Sequence, residues 1–225
     1  MKGETTTMPT YEGLRLKVLK IRRKTFAAQR KKAIKDTNFT IISNNCWGGM
    51  LYESYDLPKE SPTVGLFIMA SDYIKFISNL KYYLKKPLVF LTPEHSKWKN
   101  ELSIDKRWGT YPIGKIEDIE IFFLHYKSEE EVIDKWYRRI KRINWNRLLI
   151  KFNDQNGCTE KDLENFLSLP YEHKLFFTCK DWPKYKGNKS IITIKQPSCF
   201  NSIMASYEPF GKNKYVDLDK IINSL

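Results

Sequence analysis

The residues best placed to do chemistry follow the apolar run Phe39-Thr40-Ile41-Ile42-Ser43, in the segment Asn44-Asn45-Cys46-Trp47-Gly48-Gly49. Two carboxamides offer donors and acceptors together. Paired glycines permit positive φ and leave backbone amides unshielded, so a phosphate or a sugar hydroxyl can approach closely. The same residues also read as a strand closed by a tight turn. Cys46 follows the strand, where a helix N-terminus can lower a thiol pKa, but no base for a cysteine nucleophile is identifiable.

His125, one of three histidines, stands beside Tyr126 at the end of the apolar stretch Ile119 to Tyr126. Imidazole is a base near neutral pH, which makes this position the candidate proton acceptor; a packing histidine among aromatics has the same pattern. Asp154, in Asn153-Asp154-Gln155-Asn156-Gly157, can orient His125 or contact a hydroxyl, and equally suits an Asx turn. Arg138 and Arg142 share a helix face at i, i+4 beside Trp136 and Arg139. They form either a bidentate phosphate clamp or a solvated face paired with Asp134.

These groups need elements to hold them. Short apolar runs alternate with helical periodicity, which predicts an α/β domain with a mostly parallel sheet and helices on both faces, a Rossmann-like three-layer α/β/α architecture. Strands are expected at Asn38–Ser43, Thr63–Met69, Pro87–Leu91, Ile119–Tyr126, Arg147–Phe152, His173–Cys179 and Ser190–Lys195. Ser71 is placed to cap a helix reaching about Leu84, Ser128-Glu129-Glu130-Glu131 to cap one reaching Arg142, and Thr159 to cap one reaching Leu169. A C-terminal helix is expected near Asp217 to Ser224. In parallel sheets ligands gather beyond the carboxyl ends of strands. That rule adds Ser71, Asp72 and Thr178 to the candidates.

Composition narrows the class. The chain has 225 residues and a net charge of +13, but residues 1–35 hold 11 Lys/Arg against 2 Asp/Glu, leaving 28 against 24 for the remainder. A body so nearly balanced argues against nucleic acid as the partner. The basic segment puts Leu14, Val18, Ile21, Thr25 and Ala28 at three- and four-residue spacing, a basic amphipathic helix that can pack on the body or contact an anionic membrane through residues 11–35. Residues 1–36 therefore read as a basic N-terminal segment and 37–225 as one α/β domain. Cys46, Cys158, Cys179 and Cys199 lie far apart, with no zinc spacing and no disulfide framework, and Met1 to Thr10 lacks a signal-peptide core. A cytoplasmic protein is expected, peripheral at the inner face of the membrane if the basic helix engages lipid. No metal, no cofactor, no Walker loop and no Rossmann glycine fingerprint is indicated.

Several segments together, Phe39 to Gly49, Ser71-Asp72-Tyr73, Tyr111-Pro112-Ile113-Gly114, Phe123-Leu124-His125-Tyr126, Trp136-Tyr137-Arg138-Arg139 and Lys174-Leu175-Phe176-Phe177-Thr178, resemble the bacterial domain-of-unknown-function 1919 family over about residues 37 to 195. Members of that family are associated with exopolysaccharide and capsule biosynthesis. The resemblance implies a pathway, not a mechanism; within it the expectation is a group-transfer enzyme, glycosyltransferase-like, acting on an activated sugar donor, or else a non-catalytic carbohydrate-binding or assembly protein of the same pathway. In the enzymatic reading His125 and Asp154 are catalytic. Asn44, Asn45, Trp47, Gly48, Gly49, Ser71, Asp72, Tyr126 and Thr178 bind a sugar or nucleotide-sugar substrate.

Overall fold

The computed structural model describes residues 11–194, 211–212 and 215–225. Met1 to Thr10, Cys199 and the loops expected after the last strand lie outside them. Two sheets organise the molecule. The first is parallel, with β1 (Thr40–Ser43), β5 (Leu148–Asn153), β6 (Lys174–Thr178) and β7 (Ile191–Thr193) in that spatial order. The second joins β2 (Val89–Leu91), β3 (Ile113–Ile116) and β4 (Ile119–Phe122) as an antiparallel set.

Alternation along the parallel strands sends side chains to two cores, because successive residues face opposite sides of a sheet. Ile42, Ile150, Phe152 and Phe176 join one core with α4 (Ala70–Ser78), α7 (Glu129–Ile140) and α8 (Glu160–Ser168). Ile41, Leu149, Leu175 and Phe177 join the other with α3 (Trp47–Ser54) and the C-terminal helix α9 (Leu218–Ser224). Both faces are covered, so the chain forms the expected α/β fold, and the strands carry apolar residues on each side accordingly.

The antiparallel sheet is the departure from expectation. The runs at Val89 and Ile119 are not strands of the parallel sheet; they pair through β3, where a tight Glu117-Asp118 connection with Glu117 at φ 54° closes a hairpin. Thr63–Met69 is no strand either. Gly65 turns at φ 79° and Phe67 makes a single antiparallel bridge to Phe122, while the Thr63 hydroxyl bonds Ser61 and accepts from the Ser43 amide at the end of β1. The helix expected to run from Ser71 breaks at Asn79 into α4 and α5 (Leu80–Lys85), and it starts at Ala70 with Met69 at the cap, so Ser71 caps nothing.

The other caps are as expected. Ser128 Oγ accepts from the Glu131 amide, 3.3 Å, while the Glu131 carboxylate reaches back to the Lys127 amide, 2.8 Å. Thr159 and Asp162 form a full capping box. Near the N-terminus, α1 (Tyr11–Thr25) and α2 (Ala27–Lys32) pack against α3, and Arg30 donates to the Ser54 carbonyl at 2.7 Å.

Gly114 shows how tightly the second sheet meets the first core. A Cβ there would lie 2.6 Å from Leu88 Cδ1 and 2.7 Å from Phe123 Cε2, both on buried side chains. Gly114→Ala is expected to destabilise the fold by about 1–3 kcal/mol through overpacking, seen as a lower urea midpoint at unchanged slope.

Candidate functional site

The carboxyl ends of β1 and β5 do bring the polar residues together, but around a buried lysine. Lys151 interrupts the run Leu148-Leu149-Ile150-Lys151-Phe152 and is fully buried. Its Nζ donates to Asn45 Oδ1 at 3.0 Å and Asn44 Oδ1 at 3.4 Å, and lies over the rings of Trp47 and Phe177, 5.8 and 5.9 Å from their centroids. Burial holds its pKa well below the usual lysine value. The amine is therefore accommodated by neutral acceptors, with no carboxylate among the described residues bonded to it.

Asn44 Nδ2 donates onward to Asn153 Oδ1, 2.7 Å, and Asn45 Nδ2 to Gln155 Oε1, 3.0 Å. The two asparagines are buried, and their carboxamides are engaged inside the protein. Trp47 is completely enclosed against Phe177, 5.3 Å between ring centroids, and presents no face to a sugar. Gly48 and Gly49 lie in the first turn of α3, at helical φ. A Cβ on Gly48 would meet Ile41 Cγ2 at 3.3 Å and one on Gly49 would meet Val64 Cγ1 at 3.0 Å. Their smallness lets α3 approach β1 and the Val64 loop; it is packing that needs them.

Asp154 and Thr178 meet one another. Asp154 Oδ2 accepts from Thr178 Oγ1 at 2.7 Å and from the Cys179 amide at 3.0 Å, tying the end of β5 to that of β6. Asp72 forms a third group, buried, accepting from Lys97 Nζ, Trp98 Nε1 and the Glu120 amide at 2.7, 2.9 and 3.0 Å. Ser71 is exposed on α4.

His125, Tyr126 and Gly49 do come together, in a cleft of about 560 Å3 between α1, α3, the Val64-Gly65 turn and α7. Its walls carry Lys20, Arg23, Lys59, Arg107, Lys135 and Arg139 against, among the described residues, the single carboxylate of Glu53. Arg23 pairs with Glu53 at 3.1 Å, and its buried Nε has no hydrogen-bond partner. Arg107 pairs with Asp105 at 2.7 Å, and Lys135 with Glu131. Lys20, Lys59 and Arg139 have no carboxylate partner among the described residues. Arg139 is held in place by donating to Tyr126 Oη, 2.6 Å, which itself donates to the Val64 carbonyl, 2.7 Å.

The His125 imidazole is exposed, and its pKa is lowered by partial burial and by the charges of Arg107 and Lys59. It is neutral at pH 7 and able to accept a proton. No carboxylate among the described residues contacts it, so Asp154 does not orient it. Cys46 also lines the cleft, with burial pushing its thiol up to about 11, which leaves it a thiol at neutral pH.

A family model described as Domain of unknown function (DUF1919) matches residues 17–224. The chain belongs to the DUF1919 family. The match begins within α1, so Lys20 and Arg23, which that helix contributes to the cleft, fall inside the matched residues. An uncharacterized protein of Haemophilus influenzae is similar, at 33% identity over 202 residues, 89% of this chain and 91% of the relative.

Sequence reasoning about this DUF1919 chain missed Lys151 and most of the cleft cations. Lys151 has a sequence signal, a charge in the middle of an apolar strand. The cations have none, since Lys20, Lys59, Arg107 and Arg139 come from separate elements. Arg138 and Arg142, the helical pair, face elsewhere, to Asp134 at 3.2 Å and Glu60 at 2.8 Å. Arg139 between them turns to the cleft.

Proposed function

We propose that the cleft binds the diphosphate of an activated sugar and that the protein transfers the sugar in bacterial surface-polysaccharide assembly. The observation that carries this reading is the convergence of Lys20, Lys59 and Arg139, all without carboxylate partners among the described residues, on one cleft. Cations gathered without counterions repel one another unless an anion completes the site. A diphosphate carries charge over two adjacent groups, and guanidinium recognises phosphate through paired N–H donors.

In the transfer, an acceptor hydroxyl oxygen attacks the anomeric carbon, the bond from that carbon to the phosphate oxygen breaks, and the nucleoside diphosphate leaves with the electron pair. Arg139, Lys59 and Lys20 stabilise the charge that develops on the leaving phosphate. His125 takes the acceptor proton. Its pKa is lowered, so the neutral base is present at pH 7; the rate rises with pH through the His125 pKa, below the usual imidazole range, and then levels.

Calorimetric titration with pyrophosphate and a panel of nucleotide sugars, followed by donor-consumption assays, tests the reading. Lys59→Gln/Arg139→Gln is expected to weaken binding at least about 100-fold, since each charge-assisted contact is worth about 1.5–3 kcal/mol. His125→Gln keeps the affinity and lowers transfer about 10²- to 10⁴-fold. Equal affinity of wild type and double variant would overturn the site. Binding without donor consumption would leave a non-catalytic carbohydrate-binding protein.

A further inference from the structure

Helix α1 has two different long faces. On the inner one, Arg23 is buried against Glu53 and Lys20 reaches the cleft. On the outer one, Leu14, Val18 and Ile21 are 54%, 48% and 65% exposed. At 100° per residue these three fall within roughly 60° of one another, centred away from Arg23. Elsewhere Val89 and Ile104 stand singly, and Ile133 and Tyr137 make only a pair on α7, 44% and 38% exposed.

The apolar stripe is edged by charge of one sign. Lys17 and Lys24 flank it on one side and Arg22 on the other, all exposed. No described helix is long and apolar enough to cross a membrane. A helix with an exposed aliphatic stripe between basic rows fits the headgroup layer of an anionic bilayer, where the aliphatic groups enter the acyl boundary and the lysines meet lipid phosphate. A second copy of the chain would bring the same basic rows against each other, and like charges oppose that pairing.

We propose that the outer face of α1 docks on an anionic membrane surface. The helix then lies in the interface plane with Lys20 and Arg23 behind it, so the cleft edge formed by α1 sits next to the headgroups. Resting on the activated-sugar reading, this places the cleft beside a lipid-borne acceptor; the docking itself does not depend on what the cleft binds.

Flotation of the full chain with phosphatidylcholine vesicles, with and without phosphatidylglycerol, at about 0.15 M salt tests this. The chain is expected to float with the anionic vesicles and not with the neutral ones. Leu14→Glu/Ile21→Glu should reduce flotation at least about tenfold, and the milder Ile21→Ser should reduce it measurably. Both variants retain Lys20 and Arg23, so their pyrophosphate affinity should match that of wild type, which separates loss of docking from loss of the cleft. Lys59→Gln/Arg139→Gln should float like wild type. Undiminished flotation of both helix variants overturns the proposal. So does loss of flotation in the cleft variant, which would mean that lipid phosphate enters the cleft instead. A wild-type dimer that dissociates in Leu14→Glu/Ile21→Glu, with no vesicle binding by either protein, would assign the face to a second copy.

Discussion

Asp72→Ala is expected to cost about 3 kcal/mol or more of folding free energy, read as a fall in the urea midpoint and in Tm. The carboxylate is buried and accepts from three donors, so deletion leaves the Trp98 indole and the buried Glu120 amide without partners. Hydrogen bonds to a charged group contribute about 1.5–3 kcal/mol each. The Lys97 contact, at 2.7 Å, adds less, because that side chain is 40% exposed and water replaces the lost partner. Glu120 holds the same segment from the other side, accepting from Ser96 Oγ at 2.6 Å and the Lys97 amide at 3.0 Å. Asp72→Asn, which keeps one acceptor oxygen, should cost less than the alanine. Equal stability of Asp72→Ala and wild type would show that the hub is not needed.

The second large effect separates the stem of Lys151 from its amine. Lys151→Ala removes Cγ, Cδ, Cε and the amine of a fully buried side chain whose Nζ lies over Trp47 and Phe177, and should destabilise by about 2–5 kcal/mol, as large-to-small changes in closed cores do. Lys151→Met keeps the volume and removes the buried amine, and should lie within about 1.5 kcal/mol of wild type at pH 7. Its pH dependence is the sharper signature. The lysine pKa is about 10.4 in the unfolded chain, and burial lowers it well below that in the folded state. Between the two values the unfolded state binds the proton and the folded state does not. Wild-type stability therefore rises with pH through that window. In Lys151→Met this part of the slope is absent. Buried tyrosines such as Tyr52 and Tyr73, whose pKa values are raised by burial, affect both proteins alike and cancel in the difference. Identical slopes would mean that Lys151 is charged in the folded protein.

Elements with a local cause were legible. Ser128 and Thr159 begin α7 and α8 because a hydroxyl three residues ahead of an acidic residue satisfies helix amides wherever it sits. The strands β1, β5, β6 and β7 follow from short apolar runs that both faces of a covered sheet require. The antiparallel sheet was not legible, because Val89–Leu91 and Ile119–Phe122 have the same composition whether their partners are parallel or antiparallel. Gly48 and Gly49 were read for backbone exposure, whereas the contact with Ile41 and Val64 that requires them appears only when α3 is laid on β1.

The chain's own order of residues thus established an α/β protein with a basic leading helix, strand ends at Asn44, Asp154 and Thr178, and a body close to charge balance, whereas His125, expected at a strand end, lies in a turn beyond Phe122, the last residue of β4. These depend on spacing over a few residues or on simple sums of charge. Tertiary structure alone separated the candidate residues into a sealed cluster around Lys151, a brace from Asp154 to Thr178 and an open cleft at His125. Burial and electrostatic convergence are set by which distant segments meet. Lys20 and Arg139 lie more than a hundred residues apart in the sequence and share one cleft, an arrangement that no local pattern encodes.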